Sequence, residues 1–203
     1  AWPEREFAWV LQANQPLRTP GGAPNKDVPF LERYSLVTIY ATACVGDWRY
    51  YLIAPDQWAR ESWLGKVRID PAPEGVSGPW IDIDLYEQTL VASVDERPIY
   101  ATLVSSGLAR WSTPEGLFQV YNKLPDVPMS GGEGQPDYYY LENVPWNLFF
   151  TGDAAMHGTY WHDGFGYRHS HGCVNLSPAD ALWLYNWAEE GTWVYVHSSR
   201  EYQ

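Results

Sequence analysis

Proline and glycine interrupt this chain so often that short strands and turns are expected in it rather than long helices. Its 203 residues include 16 Pro and 17 Gly, together with 12 Trp and 15 Tyr, which favour strands. Hydrophobic residues make up 45% and charged residues 19%, the proportions of a globular protein. We therefore predict a mainly β protein that is long enough to bury a sizeable core.

The best candidate for a linker is the segment from Asp70 to Pro79. It contains three prolines and two glycines and has no hydrophobic period. We predict a β module at residues 1–70, a linker at 71–79 and a second domain at 80–203. Four β-like runs precede the linker: Phe7 to Ala13, Leu31 to Val45, Trp48 to Ala54 and Trp58 to Ile69.

After the linker, apolar and acidic residues alternate from Trp80 to Leu85, which predicts a half-buried strand with Asp82 and Asp84 on its wet face. The runs Thr89 to Val94 and Ile99 to Ser105 extend it into an antiparallel meander. Further strands are predicted at Gly116 to Asn122, Tyr138 to Leu141, Asn147 to Thr151 and Thr192 to His197.

One helix is predicted in the C-terminal half. Ser177 is a suitable cap, Pro178 suits the first turn, and Asp180 completes a pattern that resembles a capping box. Apolar residues then recur at helical spacing until Gly191, where we expect the helix to end.

The residues with the clearest chemistry are Ser170 to Asn175, which include Cys173, and His157 sixteen residues before that cysteine. A thiol with a pKa near ~8.5 is only slightly ionised at neutral pH, so a nucleophilic cysteine needs a base or a stabilising imidazolium. We predict His157 for that role. The spacing of His171 from Cys173 favours packing and backbone positioning instead, and Gly172 allows backbone amides to face an oxyanion.

Other interpretations of these residues are a buried core thiol and a metal site. A disulfide with Cys44 would consume the nucleophile, and Cys44 lies in an apolar run typical of a buried strand, so we expect it to be structural and unpaired. The spacing of five potential zinc ligands matches no familiar zinc pattern, so no metal is predicted. These ligands are His157, His162, His169, His171 and Cys173.

The charge and the remaining motifs argue against several other classes of function. A net charge of -12 argues against nucleic acid and anionic membranes as partners. There is no phosphate-binding loop and no Gly-x-Ser-x-Gly elbow. No apolar run is long enough to span a bilayer and no signal peptide is recognised; since the chain begins at Ala1, we expect an export signal or anchor to have been removed.

Two blocks closely resemble the signature of the YkuD-type L,D-transpeptidase catalytic domain: His157-Gly158-Thr159-Tyr160-Trp161-His162 and Ser170-His171-Gly172-Cys173-Val174-Asn175. The resemblance covers residues from about 79 to 198. It implies an antiparallel β-sandwich or barrel with one helix. More weakly, the first part is similar to bacterial SH3-like modules, which are small β-barrels.

The resemblance also implies a reaction. Cys173 would attack the third residue of a peptidoglycan tetrapeptide stem and release D-alanine, with His157 as the base, oriented by a backbone carbonyl such as that of Gly158. Amides of His171, Gly172 and Cys173 would hold the oxyanion. An amine of a second stem would resolve the thioester, giving a crosslink between third-position residues. No cofactor is implied, the location is extracytoplasmic, and carbapenem-type β-lactams are expected inhibitors.

Further residues have supporting roles under this resemblance. Tyr160, Ser170 and Asn175 are expected to support the loop and the substrate-binding surface. Arg168 is expected either to contact a stem carboxylate or to lie solvated, and Met129 to Gly134 to cover the site as a flap. The alternatives are an L,D-carboxypeptidase that uses water as acceptor and a wall-binding protein without catalysis.

Overall fold

A computed structural model describes residues 2–3, 5–132, 134, 136 and 138–200. The chain forms two compact units, residues 1–69 and 70–203. Strands dominate both, and the described part contains a single α-helix, so the predicted mainly β fold with one helix is confirmed. None of its helices has the length and apolarity that crossing a bilayer requires.

The first unit contains two small antiparallel sheets in its described part, with strand orders β2-β1-β6 and β3-β4-β5. Its core holds Tyr51, Ile53 and Leu64. The assignment of an SH3-like barrel to residues 1–70 stays a prediction. The strands are β1 (Phe7–Val10), β2 (Leu36–Thr38), β3 (Ala41–Val45), β4 (Trp48–Ala54), β5 (Gln57–Arg60) and β6 (Leu64–Val67).

Cys44 lies in a strand as predicted, but the expectation that it is buried is wrong. It belongs to β3, an edge strand whose residues are mostly exposed. Cys44 is itself exposed, and both it and Cys173 are free thiols. The apolar run that suggested burial is divided between β2 and β3, which belong to different sheets.

The second unit is a sandwich of two sheets with strand orders β10-β15-β7-β8-β9 and β11-β12-β13-β14 in its described part. Two strand pairs are parallel, β15 with β7 and β13 with β14. The strands are β7 (Pro79–Asp84), β8 (Thr89–Val94), β9 (Arg97–Leu103), β10 (Gly116–Gln119), β11 (Asn122–Gly131), β12 (Tyr139–Thr151), β13 (Ala154–Gly158), β14 (Val174–Leu176) and β15 (Trp193–His197).

The predicted meander of β7, β8 and β9 is present and antiparallel. In contrast, the two strands predicted between Tyr138 and Thr151 form one strand, β12, which pairs with β11 along most of its length. The segment from Met129 to Gly134, which is expected to cover the site as a flap, is not wholly a loop, because Met129 to Gly131 belong to β11; Glu133 lies outside the described residues. Neither β13 nor β14 was predicted.

The helix α1 (Pro178–Trp187) connects β14 to β15 and packs against β12, β13 and β14. Ser177 caps it as predicted, since its Oγ accepts a hydrogen bond from the backbone N–H of Asp180 at 3.2 Å. Asp180 also accepts hydrogen bonds from Tyr100 and Thr102 of β9. The helix ends four residues before the predicted Gly191, where Ala188 adopts an extended backbone. The cap therefore fixes the chain just after the cysteine loop.

Candidate active site

The parallel pair β13–β14 places His157 and Cys173 on one face of the sheet. His157 lies opposite Asn175 in the register, and Cys173 comes two residues before Asn175, directly before β14 begins at Val174. Side chains alternate between the two faces of a sheet, so His157, Asn175 and Cys173 project to the same side. A base and a thiol that are far apart in sequence are thereby neighbours.

That face borders a cavity of about 190 Å³, to which both His157 and Cys173 contribute. Of the predicted site residues, His171, Ser170 and Asn175 also line the cavity. Gly172, Tyr160 and Arg168 are not among its described lining residues. Met129, which also lines the cavity, belongs to the segment predicted as a flap. The lining residues that the sequence did not predict for the site are Tyr139, Leu141, Trp161 and His169.

His157 is held as a neutral imidazole. Its Nδ1 lies 3.2 Å from the backbone oxygen of Gly158, as predicted, so Nδ1 carries the proton and Nε2 has a free lone pair. His157 is 3% exposed, and this burial lowers its pKa to about 4; His162 lowers the pKa further, whereas the Gly158 carbonyl opposes the shift. At neutral pH the ring can therefore accept a proton.

The Cys173 thiol is held in its protonated form. Burial of the sulfur raises its pKa, the negative charge of Asp153 adds to this, and the backbone N–H of Ala155 opposes it. The Sγ atom lies 3.8 Å from the backbone oxygen of Asp153, a distance suited to a weak S–H donor. The resting pair is thus a neutral thiol and a neutral imidazole, and it differs from a preformed thiolate–imidazolium pair.

The burial of His157 makes acid stability a test of its environment. In the unfolded chain a histidine binds a proton below about pH 6.5, whereas folded His157 stays neutral down to about pH 4. Acid therefore stabilises the unfolded state in this range, and the free energy of unfolding falls with pH by on the order of 3 kcal/mol from this residue. Urea denaturation from pH 7 to pH 4 should show a loss in the wild type that exceeds the loss in His157→Gln by this amount, since His162, whose pKa burial also lowers to about 4, contributes in both proteins. Parallel pH curves for the two proteins would contradict it.

A network of hydrogen bonds fixes the loop that carries Cys173. Ser170 Oγ accepts a hydrogen bond from the N–H of Gly172 at 3.1 Å and donates one to the carbonyl of Cys173. Thr113 Oγ1 donates to the carbonyl of Gly172 at 3.0 Å. Gly172 has φ of 122°, a conformation that side-chain-bearing residues rarely adopt. Because the Gly172 amide is already bonded within the loop, it is less suited to an oxyanion than predicted.

His171 occupies a packing position, as its spacing from Cys173 predicted. Its ring centroid lies 3.8 Å from that of Trp111 and 4.9 Å from that of Tyr139. Tyr139 extends from β12 towards the thiol, and its pKa is raised by burial and by the charge that Cys173 would carry. His171 thus connects the cysteine loop to the β11–β12 hairpin.

Asn175 is oriented by His162. The Nδ1 atom of His162 accepts a hydrogen bond from the N–H of Gly164 at 3.0 Å, so a neutral ring carries its proton on Nε2. The amide atom of Asn175 that lies 2.9 Å from that Nε2 is Nδ2, which would set two N–H donors against each other unless the amide is turned over. Since Nε2–H donates, the amide must present its oxygen to His162, which leaves its NH₂ group as a donor at the cavity wall. Burial lowers the pKa of His162 to about 4, which maintains this neutral form.

This orientation can be tested by changing Asn175. We expect Asn175→Asp to keep the acceptor for His162 and to raise the pKa of that histidine, because a carboxylate favours the imidazolium. Asn175→Leu removes the acceptor and should lower the free energy of unfolding by about 1–3 kcal/mol. An NMR titration of the His162 ring, together with urea denaturation, measures both effects. If the aspartate destabilises the protein as much as leucine does, the amide donates instead.

Besides Gly172, two predicted residues lie outside the cavity wall, Tyr160 and Arg168. Tyr160 is 56% exposed, and its hydroxyl donates to the carbonyl of Glu142 at 2.7 Å, so it connects the segment after β13 to β12. Arg168 is half-buried, which makes it less solvated than the alternative prediction assumed. The zinc interpretation finds no geometric support, because the one set of three clustered ligands among the described residues is Asp70, Asp82 and His197.

The chain is similar to known proteins over the same region. Residues 78–196 match the family described as the YkuD L,D-transpeptidase catalytic domain. The Bacillus subtilis protein YciB, which carries the name of an L,D-transpeptidase, is 31% identical over 126 residues, equal to 58% of this chain and 64% of that protein. The chain thus covers less than two thirds of this curated relative.

Solved structures show the same similarity. An Enterococcus faecium L,D-transpeptidase, solved as a cysteine-to-serine mutant, is 27% identical with a TM-score of 0.55 over 60% of this chain and 50% of that one. L,D-transpeptidase 3 from Mycobacterium tuberculosis, solved with a faropenem-derived adduct, is 21% identical with a TM-score of 0.55 over 74% of this chain and 68% of that one. At that identity the second similarity shows the fold alone.

Proposed function

Because the chain belongs to the YkuD family of L,D-transpeptidase catalytic domains, we propose that it is a cysteine acyltransferase acting on peptidoglycan stem peptides. The observation that carries the proposal is the placement of Cys173 and His157 on one sheet face, beside one cavity. A non-catalytic wall-binding protein has no need of a thiol and a neutral base in this arrangement. Such a substrate implies an extracytoplasmic location.

The first half-reaction transfers an acyl group to the enzyme. Nε2 of His157 takes the thiol proton as Cys173 Sγ attacks the carbonyl carbon of the third stem residue. The neutral starting pair means that the proton moves only when an electrophile is in place. We assign the oxyanion to the backbone amides of His171 and Cys173, since the Gly172 amide is bonded to Ser170. The tetrahedral intermediate then expels D-alanine, whose amine receives the proton from His157, and a thioester on Cys173 remains.

The second half-reaction resolves the thioester. A side-chain amine of a second stem attacks the thioester carbonyl, His157 accepts the amine proton, and the Cys173 thiol leaves in its protonated form. The product is a crosslink between two third-position residues. If water enters instead, the same steps release a tripeptide stem and the enzyme is an L,D-carboxypeptidase.

The test is incubation of the full chain with a tetrapeptide stem and a diamino acceptor, followed by mass spectrometry of protein and products. We expect release of D-alanine, a transient acyl adduct on Cys173 and a crosslinked product. A tripeptide without crosslink identifies the carboxypeptidase, and the absence of both adduct and product, with a free thiol, overturns the enzymatic proposal. Incubation with a carbapenem should give a stable adduct on the same cysteine.

A further inference from the structure

The outer face of the parallel pair β7–β15 is unusually acidic and unusually buried. In the register, Tyr195 lies opposite Asp82 and His197 lies opposite Asp84. The residues between them point into the apolar core, so these four side chains share the opposite face. The alternation predicted a wet face, but Asp82 is only 4% exposed and Asp84 only 3%. The prediction of solvated aspartates is therefore wrong.

Asp70, Asp82 and His197 converge at this face. His197 Nε2 lies 2.7 Å from Asp82 Oδ1, and one ligand atom from each of the three residues lies within 4.8 Å of the others. Burial and the charges of Asp70 and Asp84 raise the pKa of Asp82, while His197 lowers it. Three carboxylates thus surround one imidazole. The cluster thus offers one imidazole nitrogen and two carboxylate oxygens as potential metal ligands.

Asp84 gives an independent indication of a ligand at this face of the sheet. Its Oδ1 accepts hydrogen bonds from the backbone N–H groups of Tyr86 at 2.8 Å and Ser199 at 3.1 Å. Its Oδ2 is buried and has no hydrogen-bond partner. A buried carboxylate oxygen without a partner is costly and calls for an explanation such as an ion or a water molecule. This oxygen belongs to the same sheet face, since Asp84 is opposite His197 and its charge acts on both His197 and Asp82.

A cavity of about 290 Å³ adjoins the cluster and provides room for an ion with its water ligands. Asp70 and His197 line it, together with Tyr195 and the segment Pro71–Pro73. One imidazole nitrogen and two carboxylate oxygens form a donor set that suits Zn²⁺ or Mn²⁺. Metal–ligand bonds of about 2.1 Å at right angles set neighbouring donor atoms about 3 Å apart, close to the separation of His197 and Asp82.

We propose that Asp70, Asp82 and His197 bind a divalent transition-metal ion, and that Asp84 Oδ2 accepts a hydrogen bond from a water molecule on that ion. The metal replaces the proton that His197 and Asp82 share. None of these residues lines the Cys173 cavity, so the site is structural and does not depend on the proposed reaction. It fastens the segment that begins at Asp70 to the end of β15.

The proposal is tested by adding Zn²⁺ or Mn²⁺ to the full chain after treatment with a chelator. At a hundredfold excess over Kd, we expect the unfolding midpoint to rise by about 5 °C or more. Mn²⁺ should also broaden the NMR signals of the Tyr195 and His197 rings. His197→Gln should lose the midpoint shift and at least about tenfold in affinity. His169→Gln is the matched control, because it removes a histidine from the Cys173 cavity instead. This variant should keep the midpoint shift and the metal affinity of the wild type.

Several results would overturn the site. Absence of a midpoint shift with both metals would mean that Asp82 and His197 form only an ion pair. A full shift in His197→Gln, or its loss in His169→Gln, would place the metal at the Cys173 cavity. If His197→Gln fails to fold, Asp70→Asn tests the same site, because Asp70 is less buried than Asp82. Unchanged metal affinity in Asp70→Asn would likewise contradict the assignment.

Discussion

Replacing Cys173 with alanine is expected to reduce acyl transfer by at least about a thousandfold, because no other group at the cavity can form the thioester. The variant should fold normally, since only one sulfur atom is removed from a half-buried position. Its free energy of unfolding should change by about 1 kcal/mol or less. Steady-state release of D-alanine and intact-protein mass after incubation with a carbapenem measure the loss of acyl transfer, and urea denaturation measures the change in the free energy of unfolding.

Cys44→Ala is the matched control. It removes the other thiol of the chain, which is exposed on the edge strand β3. We expect activity to stay within about twofold of the wild type, as for surface substitutions in general. Residual transfer by Cys173→Ala at the wild-type rate would refute the proposed nucleophile, and loss of folding in that variant would identify Cys173 as a core thiol.

His157→Gln is expected to lower kcat by about 10²–10⁴-fold, the usual contribution of a positioned general base. Glutamine is neutral and retains an amide that can donate to Gly158, so the change removes mainly the proton acceptor. In the wild type, kcat/KM should rise as His157 loses its proton at about pH 4 and then remain level through neutral pH. In the variant, activity should recover only at alkaline pH, where the thiol ionises directly.

The recovery at high pH separates a catalytic role from a structural one, because a packing defect is not repaired by ionising the thiol. His169→Gln provides the control, since His169 lines the cavity without being the proposed base. We expect it to lose less than about tenfold in kcat and to keep the wild-type pH profile. A His157→Gln protein with wild-type kcat would refute the proposed base.

Features that depend on neighbouring residues were predictable from the sequence. Ser177, Pro178 and Asp180 indicated the start of the helix because capping depends on three or four consecutive residues. The meander followed from strand periodicity and short turns. The pairing of Nδ1 of His157 with Gly158 also involves adjacent residues. The two short blocks of the family signature indicated the candidate thiol and the candidate base, which line one cavity.

Features that depend on long-range pairing were not predictable. Tyr139 reaches the cysteine loop because β11 and β12 form a long hairpin. The start of β12 is a run of consecutive tyrosines, so no alternation of apolar and polar residues indicates which side chain faces the site. The pairing of β13 with β14 joins segments separated by a long loop. The alternation at Asp82 gave the correct face but the wrong environment, because the segment beginning at Asp70 lies alongside that face.

The protonated state of the Cys173 thiol also affects its reactivity towards oxidants and alkylating agents. Peroxides and soluble alkylating agents react with thiolates, so a sulfur kept in its S–H form is oxidised slowly even where no reducing system protects it. Cys44, exposed at a strand edge, should be modified first by iodoacetamide. We therefore expect the site to select electrophiles by their fit to the cavity. An electrophile that is bound there allows the Cys173 proton to pass to His157 as the sulfur attacks, whereas a reagent that is not bound meets a protonated and poorly reactive thiol.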